Sequence, residues 1–470
     1  MNRPHRPPGT TPTRSRRRWW AVGLAGVTGL ALTTIGTPAA TAADTAGHNL
    51  ATANDRSPAG DHHDKNDKGK KGKRPPGTPV PCDTDALIAA ITLANARGGA
   101  TLNLASKCTY LLTADIDGAG LPAITTPITL NGHTHTTIER AAAADEFRIL
   151  TVNTGGNLTL NKLKITGGQT TDNGGGILVD PGGTLTTNHS TITRNIADGA
   201  GGGIANNGTT TVKHSTVSRN TAGIPGGGIA NNGTTTVKHS TVSRNTAGIP
   251  GGGIWNTGLL TVTKSDITAN LSGASGGGIQ STNGTLLIDH SRINDNQSVT
   301  AGGGLEAFNV SGMISNTEIT GNTGRAAGGA NVSLGQLTFR KVLIANNRTT
   351  MGLAGGLNVN PDTVVTVEDS TIKNNTAVAN GGGIFNFDLL VLRNTKVIGN
   401  QSGNQGGGIY NNFTGTLTLF NTQVIKNIAT TDGGGIFNNA IGVVDLNPAT
   451  GTVVVKNRPD NCVNVPECAG

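Results

Sequence analysis

Residues 201–225 read GGGIANNGTTTVKHSTVSRNTAGIP, and residues 226–250 repeat them letter for letter. A 25-residue unit copied whole without disturbing its surroundings is a stacked unit. Only in a quasi-one-dimensional fold does each repeat touch just the repeats before and after it. Looser copies extend in both directions. The Gly-Gly-Gly-Ile block begins at Gly174, Gly201, Gly226, Gly251 and Gly276, takes Leu for Ile at Gly302, and becomes Ala-Gly-Gly at Ala327 and Ala354. It returns at Gly381, Gly406 and Gly433, and its spacing stays between 25 and 27 residues.

Inside one unit the pattern is strand, turn, strand, bend, strand. Ile204 starts the first, Asn207-Gly208 turns the chain, Thr210-Thr211-Val212 alternates as the second, and Val217 opens the third. The glycine block supplies a turn with unusual dihedrals or a close backbone approach. Three short strands per ~26 residues leave no room for a crossover helix, and the Leu-x-x-Leu-x-Leu frame of leucine-rich repeats is missing. The expected fold is all-β, a solenoid of strands.

A column of asparagines checks this phase. At Ile/Val-x-x-Asn stand Asn195, Asn220, Asn245, Asn270, Asn296, Asn322, Asn347, Asn375, Asn400, Asn427 and Asn457. Stacked about 4.8 Å apart, as in neighbouring strands, their amides can hydrogen-bond along the stack and satisfy turn backbone inside the coil. A patchier second column follows the glycines at Asn206, Asn231, Asn256, Asn386, Asn411 and Asn438.

Composition narrows the class. Of 470 residues 71 are glycine and only 3% are aromatic, so the core must be built from Ile, Val, Leu and Ala layers. The formal charge of +8 is concentrated at the N-terminus: residues 1–42 carry six arginines and no acid, residues 43–81 seven basic and five acidic groups, and residues 82–470 have 23 of each sign. A nucleic-acid partner would need a net basic domain, and none is expected.

Arg14, Arg16, Arg17 and Arg18 precede an apolar run from Ala21 to Ile35, and Ala40-Thr41-Ala42 fits a cleavage site. Residues 1–42 therefore read as a secretory signal peptide, too short in its apolar run to span a bilayer. No membrane span is expected after cleavage. Ser15-Arg16-Arg17-Arg18-Trp19 is similar to a twin-arginine signal. Residues 43–81, with Asp61-His62-His63-Asp64 and a lysine-rich run from Lys65 to Lys73, lack the apolar residues that order a site and read as a disordered linker.

Four cysteines remain: Cys82, Cys108, Cys462 and Cys468. Export makes disulfides the default, and four cysteines allow about three pairings. They fall as two local pairs at opposite ends of the repeat, which favours Cys82 with Cys108 and Cys462 with Cys468. Crosslinks there suit a stack whose raw ends leave unpaired strand edges. Asp83-Thr84 begins a candidate capping helix with Leu87, Ile88 and Ile91 on one side and Gly98-Gly99 at its end. The expected domains are an N-terminal cap at 82–108, the coils at 109–457 and a C-terminal cap at 458–470.

The Gly-Gly-Gly-Ile and Ile-x-x-Asn pair resembles the Gly-Gly-Ala-Ile and Phe-x-x-Asn repeats of polymorphic outer-membrane proteins. The opening segment, with Ala86-Leu87, Ala90-Ile91, Gly98-Gly99 and Leu121-Pro122-Ala123-Ile124, resembles bacterial secreted proteins of the pectin-lyase-like superfold. Together these cover residues 82–457 and imply a single-stranded right-handed parallel β-helix. The chain reaches Gly470 soon after the last repeat without a translocator barrel, which argues against self-transport.

That superfold hosts polysaccharide lyases and glycoside hydrolases, whose chemistry rests on particular residues. The Asn-Thr-Asp, Asp-Asp, Gly-His-Gly and Arg-Ile-Lys motifs of polygalacturonase-like enzymes are absent; Arg292-Ile293-Asn294 is the nearest fragment. Hydrolysis of a glycosidic bond uses paired carboxylates, and Glu306 has Gln280 and Asn331 in its column rather than an acid. His189, His214, His239 and His290 each precede a serine, but no acid is placed to orient the imidazole. No catalytic residue, metal or cofactor is expected.

The candidate binding residues are aromatic. Trp255, Phe385, Tyr410 and Phe437 directly follow the core Ile, so they should point outward and offer rings for sugar faces or a partner protein. The expected function is an exported, non-catalytic, adhesin-like β-helix whose partner is a polysaccharide or a surface protein, secreted or held at the cell surface. A polysaccharide-degrading enzyme of the same superfold is the alternative.

Overall fold

The coordinates are a computed structural model that describes residues 77–133 and 135–468. The expected signal peptide, the His62-His63 segment and nearly all of the expected linker lie outside the described residues. The chain is an all-β, right-handed parallel β-solenoid of about 15 turns. Sheets of 13, 15, 14 and 11 strands run along it.

From the lap that opens at Leu150–Val152 to the one that closes at Ile428–Ala429 each coil has four strands where three were expected. In the coil that begins at Gly201 these are Ile204–Asn206, Thr209–Lys213, Thr216–Ser218 and Thr221–Ala222. They belong to what we call the first, second, third and fourth sheets. Every one pairs in parallel with its copy in the next coil: Ile204 with Ile229, Val212 with Val237, Val217 with Val242, Ala222 with Ala247. The fourth strand is only two residues long, too short to show a period in the sequence.

Alternation sets what is inside. Ile204, Val212 and Val217 are 0% exposed and Ala222 1%, so each lap adds an aliphatic layer. Burial of such a side chain stabilises by about 1.5–3 kcal/mol. The glycine block lets laps approach. A Cβ on Gly228 would sit 2.7 Å from the Gly253 carbonyl oxygen and 2.8 Å from Asn245 Nδ2, so only glycine fits there.

The ends are closed differently. At the N-terminus helix α1 (Thr84–Ala96) starts from Asp83, whose side chain accepts from the Ala86 amide at 2.8 Å. It buries Leu87, Ile91 and Ala94, while Ile88 packs on the core less fully. The Cys82–Cys108 disulfide ties the helix to the following coil. Thr78–Val80, expected within the linker, is instead a strand paired in parallel with Ala100–Leu104. Its Val80 is 3% exposed, so the apolar side chain that seemed isolated in a polar stretch covers the first lap. At the C-terminus Cys462–Val463 adds a last strand beside Ile436–Phe437, and Cys462 is bonded to Cys468. No helix among the described residues is long and apolar enough to cross a membrane.

Candidate functional site

The asparagines at Ile/Val-x-x-Asn stand one above another along the bend between the third and fourth strands. Asn220 Nδ2 donates to Asn245 Oδ1 at 3.0 Å and to the Ile192 carbonyl at 3.1 Å, while the Asn220 amide donates to the same Oδ1 at 3.0 Å. This pattern runs from Asn195 to Asn457, where Asn461 Oδ1 supplies the last acceptor. The second column behaves alike: Asn206 Nδ2 reaches Asn231 Oδ1 at 2.7 Å, and Asn411 reaches Asn438 at 2.8 Å. Their amides are buried and fully engaged within the coil.

The outward position of the first sheet forms one continuous row: Trp255, Gln280, Glu306, Asn331, Asn358, Phe385, Tyr410, Phe437. The expected exposed aromatic ladder is corrected here. The rings do point away from the main core, and they stack, with centroids 4.7 Å apart for Phe385–Tyr410 and 5.1 Å for Tyr410–Phe437. But Phe385 is 3% and Tyr410 7% exposed. Leu353, Ala354 and Phe387 pack against them in a small separate apolar cluster. Only Trp255 and Phe437 remain part-exposed. The glycine turn of each coil folds down beside this row: a Cβ on Gly406 would lie 2.7 Å from the Tyr410 Cβ. That close turn shelters side chains that strand alternation alone would leave in solvent.

Between the aromatic ends the row is polar, buried and directional. Asn358 Nδ2 donates to Asn331 Oδ1 at 2.6 Å, and Asn331 Nδ2 donates to Glu306 Oε1 at 2.7 Å. Gln280 Nε2 donates to Thr282 Oγ1 at 3.1 Å. Glu306 Oε2 and Gln280 Oε1, on adjacent rungs, are buried without a partner. Burial pushes the Glu306 carboxyl up to about 7, against the opposing pull of the Asn331 hydrogen bond. Burial favours the carboxylic acid over the carboxylate in this row. The sequence shows the signal as a break from aromatic to amide side chains in one column.

The Ser-His pairs divide at the corner between the second and third strands. The expectation that no acid orients their imidazoles fails at His290, whose Nδ1 lies 2.7 Å from Asp289 Oδ2, although Ser291 Oγ is turned to the Asp289 carbonyl at 2.8 Å. The rings of His189, His214 and His239 lie outside, stacked with centroids 4.9 Å apart and interplanar angles of 6° and 14°. Loss of water within the ring stack, and then the charges of His189, His239, Lys213 and Lys238, hold the exposed His214 below its ordinary value. The serines turn inward. Ser215 Oγ accepts from the Ser190 amide at 3.0 Å and donates to the Lys213 carbonyl at 2.7 Å. A hydroxyl held in that way by backbone is not poised for attack on a substrate. Among the described residues no three His, Cys, Asp or Glu side chains gather as a metal site.

No family model matches the chain, and no curated protein matches it. Among solved structures it is similar to the A-module of the Azotobacter vinelandii mannuronan C-5 epimerase AlgE4, at 14% identity and a TM-score of 0.43, covering 77% of this chain and 93% of that one. It is also similar to tailspike protein 3 of bacteriophage CBA120, at 12% identity and a TM-score of 0.33, covering 81% and 59%. A tailspike of E. coli bacteriophage HK620, solved with a pentasaccharide, gives 12% identity and a TM-score of 0.31 over 81% and 76%.

Proposed function

We propose that the protein is an exported, non-catalytic β-helix that holds an extended polysaccharide along its length at the cell surface or outside it. The observation that carries this reading is the repetition of outward side chains at one-strand spacing, as in the His189–His214–His239 stack at 4.9 Å. A row of identical groups suits a ligand made of identical units. Coils of 25 to 27 residues leave no long connection to wall a cleft around one bond. Export is supported by the signal-like residues 1–42 and by the two disulfides, which persist in oxidising compartments. Of the four aromatic candidates, Trp255 and Phe437 are the ones a sugar could touch, while Phe385 and Tyr410 back Phe437.

The enzyme alternative would centre on Glu306, because a carboxyl pushed up to about 7 suits a general acid. Its neighbours Gln280 and Asn331 supply no second carboxylate, and its side chain is sheltered from substrate.

The test is incubation of the mature protein with a panel of plant and microbial polysaccharides, measuring retention together with release of unsaturated or reducing ends. Retention without product is expected. Product release would overturn the binding reading, as would retention of none of the panel.

A further inference from the structure

The repeat region as a whole is neutral, but its charge is not evenly placed. The third-sheet face of the coils between Lys162 and Lys264 carries lysines, arginines and histidines and no acid. One border is the corner column Lys162, His189, His214, His239, Lys264, all exposed and all at φ between 45° and 55°. Lys213 and Lys238 widen that border, directly paired across the strands. The other border is Arg194, Arg219 and Arg244, exposed at the bend before each ladder asparagine, at φ 54° to 55°. The left-handed backbone at both bends splays these side chains away from the coil, to either side of the third strand.

Between the borders lies a flat row, Lys164, Thr191, Thr216 and Thr241, in strand register. Among the described residues these three threonine hydroxyls make no hydrogen bond, and none of the lysines or arginines of the strip makes an ion pair. The acids of the same coils lie elsewhere. Asp172 and Asp198 sit past the fourth strand, Asp172 3.7 Å from Arg148, and Asp180 lies between the first and second strands. The strip ends where Asp266 enters the threonine row and is held by Arg292 at 2.7 Å.

Like charges facing each other across strands repel. An unpaired column of arginines one strand apart is therefore a surface whose repulsion an anionic ligand would relieve. Copying of the 25-residue unit accounts for Arg219 and Arg244 but not for Arg194, His189, Lys162 or Lys264, which stand outside it.

We propose that this strip is an anion-binding site for a linear acidic polysaccharide laid parallel to the solenoid axis. Its carboxylates or sulfates lie over the lysine and arginine borders, and its hydroxyls lie against Thr191, Thr216 and Thr241. The inference rests on the polysaccharide-holding reading above and adds the face and the charge class. Five rungs about 4.8 Å apart give a strip about 20 Å long, room for several sugar units. The rung spacing is wider than the about 3.4 Å per nucleotide of a DNA strand, and the strip offers no Trp, Tyr or Phe on which bases would stack.

The experiment compares retention of the mature protein on polygalacturonate, a sulfated glycan, neutral dextran and duplex DNA at several salt concentrations. It uses the wild type, a variant carrying Lys213→Gln, Arg219→Gln, Lys238→Gln and Arg244→Gln, and a Lys396→Gln control on the same sheet outside the strip. Binding to at least one acidic glycan that weakens with salt and falls about tenfold or more in the fourfold variant, with the control unchanged, is the expected result. Strand content by circular dichroism verifies that the fourfold variant is folded. Acidic-glycan binding indifferent to the fourfold change, or tighter binding of DNA than of any acidic glycan, overturns the strip. Retention of dextran by all three proteins with no binding of either acidic glycan overturns it while leaving the polysaccharide-holding reading intact. Loss of retention on every glycan already in the wild type sinks both.

Discussion

Asn331 donates from Nδ2 to Glu306 Oε1 at 2.7 Å, while Glu306 Oε2 and, on the adjacent rung, Gln280 Oε1 are each buried without a partner. This makes the protonation state of one carboxyl part of the stacking of three coils.

The pH dependence follows with a definite sign. A carboxyl whose folded value is raised from 4.5 to about 7 holds its proton more tightly when folded. Its contribution is complete below about pH 4.5 and is lost as pH climbs to about 7, an order-of-magnitude total of about 3 kcal/mol. Glu306→Gln keeps the shape and an acceptor for Asn331 without a group that must ionise. Its stability should therefore exceed the wild type's at pH 8 and match it near pH 4. Amide hydrogen exchange of Leu305, Ala307 and Val332 across pH 5 to 8 measures the local effect, and parallel pH profiles for the two proteins would refute the protonated rung.

The asparagine column predicts a position-dependent loss. Asn245→Ala removes the acceptor of both the Asn220 amide and Asn220 Nδ2 and strips the Val217 carbonyl of its donor. Leaving such buried groups unpaired costs about 1–3 kcal/mol each. The total should lower the urea midpoint markedly. Asn457→Ala, at the end of the column where residue 457 is 7% exposed, should cost less. Equal midpoints for both variants would show that the ladder is not cooperative.

The parts of this structure legible in the sequence are those locked to the repeat. Asn220 and Asn245 can be placed one above the other because any other pairing would break the in-register match of Val217 with Val242. The α1 helix and both disulfide pairs were legible because caps and cysteines mark chain ends. What escaped was lateral packing within a lap. Alternation sends Phe385 and Tyr410 outward correctly, but it cannot show that the glycine turn preceding each ring folds down against it. The same blindness hid the burial of Glu306, which reads only as an acid with Gln280 and Asn331 in its column, and Thr78–Val80, which reads as linker.

The glycine block predicts two unequal substitutions. Gly228→Ala would put a methyl 2.7 Å from the Gly253 carbonyl oxygen of the next lap, and two stacked backbones cannot both yield. Overpacking of this kind costs about 1–3 kcal/mol, here toward the upper end. Gly226 has φ 78°, yet its equivalents Ala327 and Ala354 adopt φ 54° and 57° with side chains in place. A Cβ on Gly226 would also lie 2.6 Å from the Ile229 carbonyl oxygen of its own lap, a contact that a local shift relieves at the equivalent Ala327 and Ala354, so Gly226→Ala should cost less than Gly228→Ala, about 1–2 kcal/mol including the left-handed penalty. Denaturant midpoints for the two variants decide it, and a reversal of their order would show that dihedral strain, not the approach of laps, selects these glycines.

Tyr410 separates a structural ring from a contact ring. It lies between Phe385 and Phe437, 4.7 and 5.1 Å away, and is 7% exposed. Tyr410→Ala opens a cavity in the outer cluster and should destabilise by about 3 kcal/mol, lowering the urea midpoint and loosening Phe385 and Phe437 together. Phe437→Ala removes a part-exposed ring with one stacked neighbour and should cost less stability. Polysaccharide retention should follow the opposite order once both variants are compared well below their midpoints: impaired by Phe437→Ala and by Trp255→Ala, and nearly unchanged by Tyr410→Ala. Retention that falls most with Tyr410→Ala in a protein still fully folded would mean that the ligand opens the cluster and reaches the buried ring. The sheltered packing of Phe385 and Tyr410 would then describe only the unliganded state.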